Sequence, residues 1–367
     1  MQEILLGFVT SFVVVLVATP SLILVAKLKH LVDEPTDSRK KHGRSVPTIG
    51  GIIIFASAVF AYALWFPTDN LSYYGSLAIF TESVTGFKFI VACSILIFFI
   101  GVKDDIIGVA PVKKLIGHIL VGFILVVMAD IRITGMQGVF GIFELHYPAS
   151  VALSVFTYIV LVNAFNLIDG SDGMAAGIGF IACAFFGVWF YASFQYDLSL
   201  LAFSLAGALG AFLIYNFSPA RIFMGDSGSL FIGMLTFIMT VKCIETDVRI
   251  IPFQLKGITP AIFAMSVLAY PLIDTLRVFG LRIISGRSPF QADRNHIHHR
   301  LIDRNYTHAQ TAYTLYLASI VIPIISLFFR GVDPTISFIA MGCISFGVLF
   351  TVFLLPMRKP KEVPSTL

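Results

Sequence analysis

Residues 150–194 read SVALSVFTYIVLVNAFNLIDGSDGMAAGIGFIACAFFGVWFYASF. Two apolar runs, 150–168 and 174–194, are each of the length that crosses a bilayer, about 20 residues. Between them lies a polar hinge, Asn163-Ala-Phe-Asn166-Leu-Ile-Asp169-Gly170-Ser-Asp172-Gly173. A carboxylate beside hydrocarbon costs roughly 2.5–3.5 kcal/mol on insertion scales, so two of them there call for a reason. The spacing of Asp169 and Asp172 predicts both carboxylates on one side of a helical turn. Gly170 and Gly173 allow a ligand to approach the backbone closely. The same residues also satisfy a tight Asx-rich turn between two membrane helices, so the hinge acquires meaning only from its surroundings.

Those surroundings are apolar throughout. Of 367 residues 57% are hydrophobic and 13% charged, against about 25% charged in a soluble domain, and the mean hydropathy is +0.90. The sequence predicts an all-α polytopic membrane protein embedded in the lipid bilayer. A net charge of +4 offers no basic surface for nucleic acid. Cys93, Cys183, Cys243 and Cys343 fall in or beside apolar runs without a CxxC pair, which reads as small buried side chains rather than a disulfide or metal site. The run from Ile4 to Ala26 is too long for a signal peptide and follows Met-Gln-Glu rather than a basic segment, so it is expected to remain as a span.

Eleven candidate spans follow, at 4–26, 48–66, 87–103, 113–129, 150–168, 174–194, 198–217, 228–244, 258–280, 309–329 and 333–355. Lysine and arginine set the orientation. With the N-terminus outside and the C-terminus cytoplasmic, of the 25 basic residues only Lys88, Arg132, Lys242, Arg249, Lys256 and Arg330 stay outside. The same orientation gathers every chemistry-bearing cluster on the cytoplasmic face: 33–44, 103–114, 163–173, 221–229 and 287–304. No repeat or soluble segment interrupts the chain. It reads as a single domain, 1–367, with cytoplasmic loops at 27–47, 103–113, 166–173, 218–228 and 281–308.

Each cluster has a chemical and a bland reading. Asp104 and Asp105 repel one another and call for a cation such as Mg²⁺ with a phosphate-bearing substrate; alone they are also an ordinary helix end. Lys113 and Lys114 follow, able to neutralise phosphate or simply to obey the inside-positive bias. Arg221-Ile-Phe-Met-Gly225-Asp226-Ser227-Gly228-Ser229 places a carboxylate and free N–H groups at a helix start, a site for metal plus phosphate or an N-cap. It lacks the P-loop spacing. Asp293-Arg294-Asn295-His296-Ile-His298-His299-Arg300 pairs three histidines with arginine forks suited to diphosphate, without the HExxH or cysteine partners of a zinc site. Asp274 reads as a structural partner for a nearby arginine. Gly50 and Gly51, in Pro47-Thr-Ile-Gly50-Gly51, allow close helix contact.

Taken in order, these motifs resemble the polyprenyl-phosphate N-acetylhexosamine-1-phosphate transferase family, which includes the bacterial undecaprenyl-phosphate GlcNAc-1-phosphate transferases and, more distantly, phospho-MurNAc-pentapeptide translocase. The resemblance covers nearly the whole chain, and His-Ile-His-His is similar to the GlcNAc-1-phosphate branch. It implies attack of undecaprenyl phosphate on the sugar-bearing phosphorus of a UDP-N-acetylhexosamine at the cytoplasmic face of the inner membrane, giving UMP and a lipid diphospho-sugar that starts a cell-surface glycan. It implies Mg²⁺, with Mn²⁺ as a substitute, on Asp226 as principal ligand and Asp104 beside it. It implies that Asp104 and Asp105 stand near the lipid phosphate. Asn166, Asp169 and Asp172 would hold the nucleotide-sugar with Lys114, and His296, His298, His299 and Arg294 the diphosphate or sugar. The resemblance is also compatible with a homodimer. The rival from another class is an ion-coupled transporter, whose acids would sit near the bilayer midplane within a repeat.

Overall fold

The computed structural model describes residues 1–29, 32–33, 46–68, 77–247, 249–253, 255–286 and 295–355. Most of the basic stretch before the second apolar run, 34–45, lies outside the described residues, as do 287–294, with Arg294, and the tail 356–367.

The chain is helical almost throughout: α1 Gln2–Leu28, α2 Gly51–Trp65, α3 Leu77–Ile107, α4 Pro111–Phe123, α5 Tyr147–Ile168, α6 Met174–Ala192 and α7 Tyr196–Asn216. There follow α8 Gly225–Ile244, α9 Pro260–Val267, α10 Ala269–Ile284, the short α11 Ile297–Asp303, α12 His308–Ser326 and α13 Pro334–Leu354. Backbone polar groups in hydrocarbon must be satisfied within their own segment, which a helix does and an open strand does not. Among the described residues one sheet is present, pairing Val32–Asp33 with Val46–Pro47, two residues each.

Among the described residues nine helices are long and apolar enough to span a membrane, ten if α9 and α10, bent by 73°, count as one. The bend divides the expected span 258–280. The expected span 48–66 is the 15-residue α2, about 22 Å long at 1.5 Å per residue and shorter than a hydrocarbon core. Conversely, α3 runs over 31 residues, well beyond the expected 87–103. Its first turns carry Glu82, which pairs with Lys242 at 3.2 Å, so the helix continues where hydropathy fades.

α8 is the axis of the bundle. Nearly all of its residues are buried, including Ser227, Ser229, Thr236 and Thr240. The hydroxyls of Thr236 and Thr240 donate to the carbonyls of Ile232 and Thr236 one turn earlier, so a polar helix fits an apolar interior. Its first turn is gripped from two sides. A methyl group on Gly51 would fall 2.1 Å from the Gly228 nitrogen, and one on Gly101 2.5 Å from the Ser227 Cα. Only glycine lets α2 and α3 approach so near. The backbone before α2 is tied to the same turn: the Gly50 and Gly51 N–H groups donate to the carbonyls of Phe223 and Met224 at 2.9 and 2.7 Å. This packing brings the C-terminal end of α3 against the N-terminal end of α8.

Candidate active site

Four carboxylates and one lysine meet at that junction. Asp104, in the last turn of α3, accepts the Val109 N–H at 2.6 Å and the Lys114 ammonium at 2.8 Å. Pro111 begins α4, where its fixed φ suits a first helical turn, and Lys114 stands one turn later. Its ammonium also contacts Asp226. Asp226 accepts from the Asn166 amide at 2.7 Å, and that amide also reaches the Ser229 hydroxyl at 3.1 Å. Side-chain exposures of 16% for Lys114, 17% for Asp104 and 26% for Asp226 leave the group reachable yet poorly solvated.

Asp105 plays a different part from its neighbour. Its two oxygens accept the backbone N–H groups of Asp226 and Ser227 at 2.7 and 3.0 Å. Those are orphan donors of the first turn of α8, and the carboxylate satisfies them where the helix dipole is positive. Asp169 follows the end of α5 and accepts the Gly225 N–H; partial burial, then the charges of Asp226 and Asp105, hold its carboxyl well above the usual carboxylate range. Lys114 is thus shared by Asp104 and Asp226 while Asp105 stands alongside. Among the described residues the carboxylates here outnumber their cation, which favours further positive charge beside an entering phosphate.

The hinge does not set Asp169 and Asp172 side by side, as their spacing predicted. The helix stops at Ile168 and residues 169–173 form a turn. Asp169 faces the carboxylate group, whereas Asp172 is buried and accepts the Ala220 N–H at 3.2 Å, bracing the loop before α8. Among the described residues its other oxygen has no partner. Three side chains outside the quoted motifs fasten the same turn. Asn216 accepts from the Gly173 N–H at 3.1 Å and donates to the Ile222 carbonyl at 2.9 Å; His308 meets the Ser171 hydroxyl at 2.9 Å; and the Tyr316 hydroxyl donates to the Gly173 carbonyl at 2.5 Å.

The histidine segment closes the other side. Asp274 accepts the Ile297 N–H at 2.9 Å, meets His296 Nδ1 at 3.0 Å and pairs with Arg277 at 3.1 Å. Arg277 also donates to the Asn295 carbonyl. Asp274 therefore orients His296 as well as its arginine. His298 is fully buried, with both ring nitrogens unpartnered among the described residues. Its Nε2 would stand 3.5 Å from a methyl group on Gly170, which brings the segment against the hinge. Burial, then the nearby His299, pushes His298 down to about 3, so its imidazole is neutral near pH 7. The His298 and His299 rings lie 4.1 Å apart. Among the described residues no three His, Cys, Asp or Glu side chains are grouped to hold a metal ion by themselves.

A family model described as glycosyl transferase family 4 matches residues 87–244, from α3 to the end of α8. The probable undecaprenyl-phosphate N-acetylglucosaminyl 1-phosphate transferase of Bacillus subtilis is 30% identical over 336 residues, covering 90% of this chain and 86% of that one. The decaprenyl-phosphate N-acetylglucosaminephosphotransferase of Mycobacterium tuberculosis is 30% identical over 335 residues, with coverage of 86% and 80%. The undecaprenyl-phosphate alpha-N-acetylglucosaminyl 1-phosphate transferase of Yersinia pestis is 26% identical over 302 residues, with coverage of 81% and 76%. The chain belongs to glycosyl transferase family 4.

In this family 4 chain the matched stretch contains every acid of the carboxylate group, Lys114 and Asn166, while the histidine segment lies beyond it. Sequence reasoning passed over Asn216, His308 and Tyr316. Asn216 did leave a signal, a lone amide closing the apolar run before Arg221, of the sort that marks a polar task within a membrane helix. Tyr316 left none, since an aromatic inside an apolar run is ordinary packing.

Proposed function

We propose that this chain transfers a sugar-1-phosphate, GlcNAc-1-phosphate first among candidates, from a UDP-sugar to undecaprenyl phosphate, releasing UMP. The observation that carries the reading is the Asp104–Lys114–Asp226 bridge at one end of an apolar bundle. A polyprenyl phosphate keeps its head at the interface and its tail in lipid, so its phosphate arrives at that depth. The named activities of the relatives agree. The acids stand at helix ends on one side and not at mid-depth, which favours an enzyme over an ion-coupled transporter.

The donor set fits Mg²⁺, a hard ion that takes one or two carboxylates and completes its shell with water and substrate phosphate. Asp226 would hold it with Asp104, and the excess of carboxylates over cations at this junction among the described residues favours a cation there. Bound there, the ion supplies charge neutralisation and polarisation of the phosphoryl group. The protein's own groups do the rest. Asn166 holds Asp226 in orientation, Asp105 fixes the start of α8, and Lys114 offsets two carboxylates while presenting an ammonium to phosphate oxygens. Neutral His298 has hydrogen-bonding capacity free for the diphosphate or sugar, and His296 is aimed by Asp274. The lipid phosphate oxygen forms a bond to the sugar-bearing phosphorus as the bond to UMP breaks. Direct attack is favoured over an aspartyl intermediate, because Asp226 and Asp105 are already engaged by Asn166, Lys114 and backbone N–H groups. Asp172 acts through the loop it braces. On this reading the chain is a single transferase domain with about eleven membrane crossings, its N-terminus outside and its site facing the cytoplasm of the inner membrane.

The test is UMP release by purified protein given undecaprenyl phosphate, Mg²⁺ and either UDP-GlcNAc or UDP-GalNAc. Release that needs both lipid and metal supports the reading, and the preferred sugar names the donor. Lipid-independent release, or silence from folded protein across a broad UDP-sugar panel, overturns it.

A further inference from the structure

The end of the bundle opposite the carboxylate group holds a second cavity, of about 480 Å³. Lys242 and Glu245 line it at the C-terminal end of α8, Glu82 at the start of α3 and Asp197 at the start of α7. Asp226 lies at the other end of α8, about 24 Å away at 1.5 Å per residue. A lumen of this size is ordinary for a small-ligand site, and no step of the proposed transfer uses it.

Its chemistry is acidic and aromatic. Glu82, Asp197, Glu245 and Asp247 line it, against Lys242 as the one basic lining residue among the described residues. Asp247 is paired with Arg249 on the exposed surface, which leaves Glu82, Asp197 and Glu245 lining the cavity with Lys242 among the described residues. Glu82 contacts Lys242 at 3.2 Å; Glu245 accepts from the Thr134 N–H at 2.8 Å; Asp197 is bonded by the Ser83 hydroxyl. Tyr62, Phe87, Phe194 and Tyr196 supply ring walls, and Phe194 is 63% exposed at the edge. Ser193 also lines the cavity; it is fully buried and its hydroxyl has no partner among the described residues.

We propose that this cavity binds an organic ammonium group, with the carboxylate excess attracting its charge and the rings receiving its alkyl shell. Aromatic faces together with negative charge are the recognised means of holding alkylammonium ions. The charge of the carboxylates attracts a cation, a Coulombic gain that a neutral ligand does not share. The ammonium comes either from a soluble amine or from an ethanolamine lipid headgroup at the membrane surface.

The probe is radiolabelled choline, with 3,3-dimethylbutan-1-ol as its uncharged isostere, applied to the full chain in a neutral maltoside detergent. Saturable choline binding that the isostere does not displace is expected. Asp197→Asn and Glu82→Gln should each weaken it about tenfold, the effect of losing roughly 1.4 kcal/mol of attraction. UMP release by these variants should be unchanged, which certifies their folding. Repeating the measurement in nanodiscs separates the sources. Choline excluded by phosphatidylethanolamine but not by phosphatidylglycerol identifies a headgroup; equal binding in both identifies a soluble amine. Absence of saturable binding, equal displacement by the isostere, or unaltered affinity in active Asp197→Asn protein overturns the proposal.

Discussion

Asp105 holds α8 by its backbone: its carboxylate accepts the N–H groups of Asp226 at 2.7 Å and of Ser227 at 3.0 Å. Its neighbour Asp104 instead joins Asp226 through the side chain of Lys114. Consecutive helical residues point about 100° apart, so one acid anchors the helix start and the other faces the open basin.

This division predicts different damage. Asp105→Asn keeps one acceptor oxygen but presents an NH₂ to a backbone N–H, stranding a donor at a cost of about 1–3 kcal/mol. Asp104→Asn should leave the unfolding temperature near wild type while lowering turnover about a hundredfold or more. Thermal unfolding in detergent beside UMP release separates the two, and an Asp105→Asn protein as stable as wild type would refute the anchoring role.

Lys114 is the cation between Asp104 and Asp226. Lys114→Ala should lower turnover about a hundredfold, the scale of losing one preorganised electrostatic group, and saturating Mg²⁺ should not restore it. Lys114→Arg should retain part of the rate, since charge persists while the single-point geometry does not. A Lys114→Ala enzyme at wild-type speed would show that the bridge only supports the fold.

Asp169 carries a pH signature. Its carboxyl is held above the ordinary 3.8 by partial burial and by neighbouring carboxylates. The fold therefore favours the protonated form, a contribution complete below 3.8 and lost as pH rises through the raised value. In metal-free buffer Asp169→Asn should match wild type near pH 4 and unfold at a progressively higher temperature than wild type toward pH 8. A constant difference across that range would contradict the assignment.

His298 gives the opposite slope. Its ionisation is pushed from 6.5 down to about 3 by burial and by His299, so its contribution is whole above 6.5 and declines as pH falls toward 3. Wild type should lose stability faster than His298→Asn between pH 6.5 and 4. Should the two acid limbs coincide, the ring is not held neutral by the fold.

Gly51 tests the packing beneath the site. A methyl group there meets the Gly228 nitrogen at 2.1 Å, backbone that has nowhere to move. Gly51→Ala should cost about 3 kcal/mol or more and depress both expression and turnover. Gly342→Ala in α13, with no atom within 4 Å of the new methyl, should be neutral or stabilising by up to about 1 kcal/mol. Equal unfolding temperatures for the two variants would mean that α2 and α8 are not in such close contact.

Much of the site was legible in the chain. Asp104, Asp105, Asn166, Asp169, Asp226 and the three histidines were visible because a carboxylate, amide or imidazole beside hydrocarbon is costly, and few are retained without use. What could not be read was the split within each close pair. Asp104 and Asp105 look alike, as do Asp169 and Asp172, until the partners that engage them are in place. Asp274 was legible as an arginine's partner but not as the residue that aims His296, because its bond to that ring spans 22 positions.

By itself the sequence determined that the protein lies in a membrane, that it is built of helices, and which polar segments interrupt them. Those are local properties, since each segment in lipid must satisfy its own backbone and hydropathy is a sum over neighbours in the chain. Only the tertiary structure decided which carboxylate faces the open basin and which is tied to the first turn of α8. That choice rests on contacts such as Asp105 with Asp226, across 121 positions, made when glycines let α2 and α3 close on the first turn of α8. No local pattern encodes such a distance.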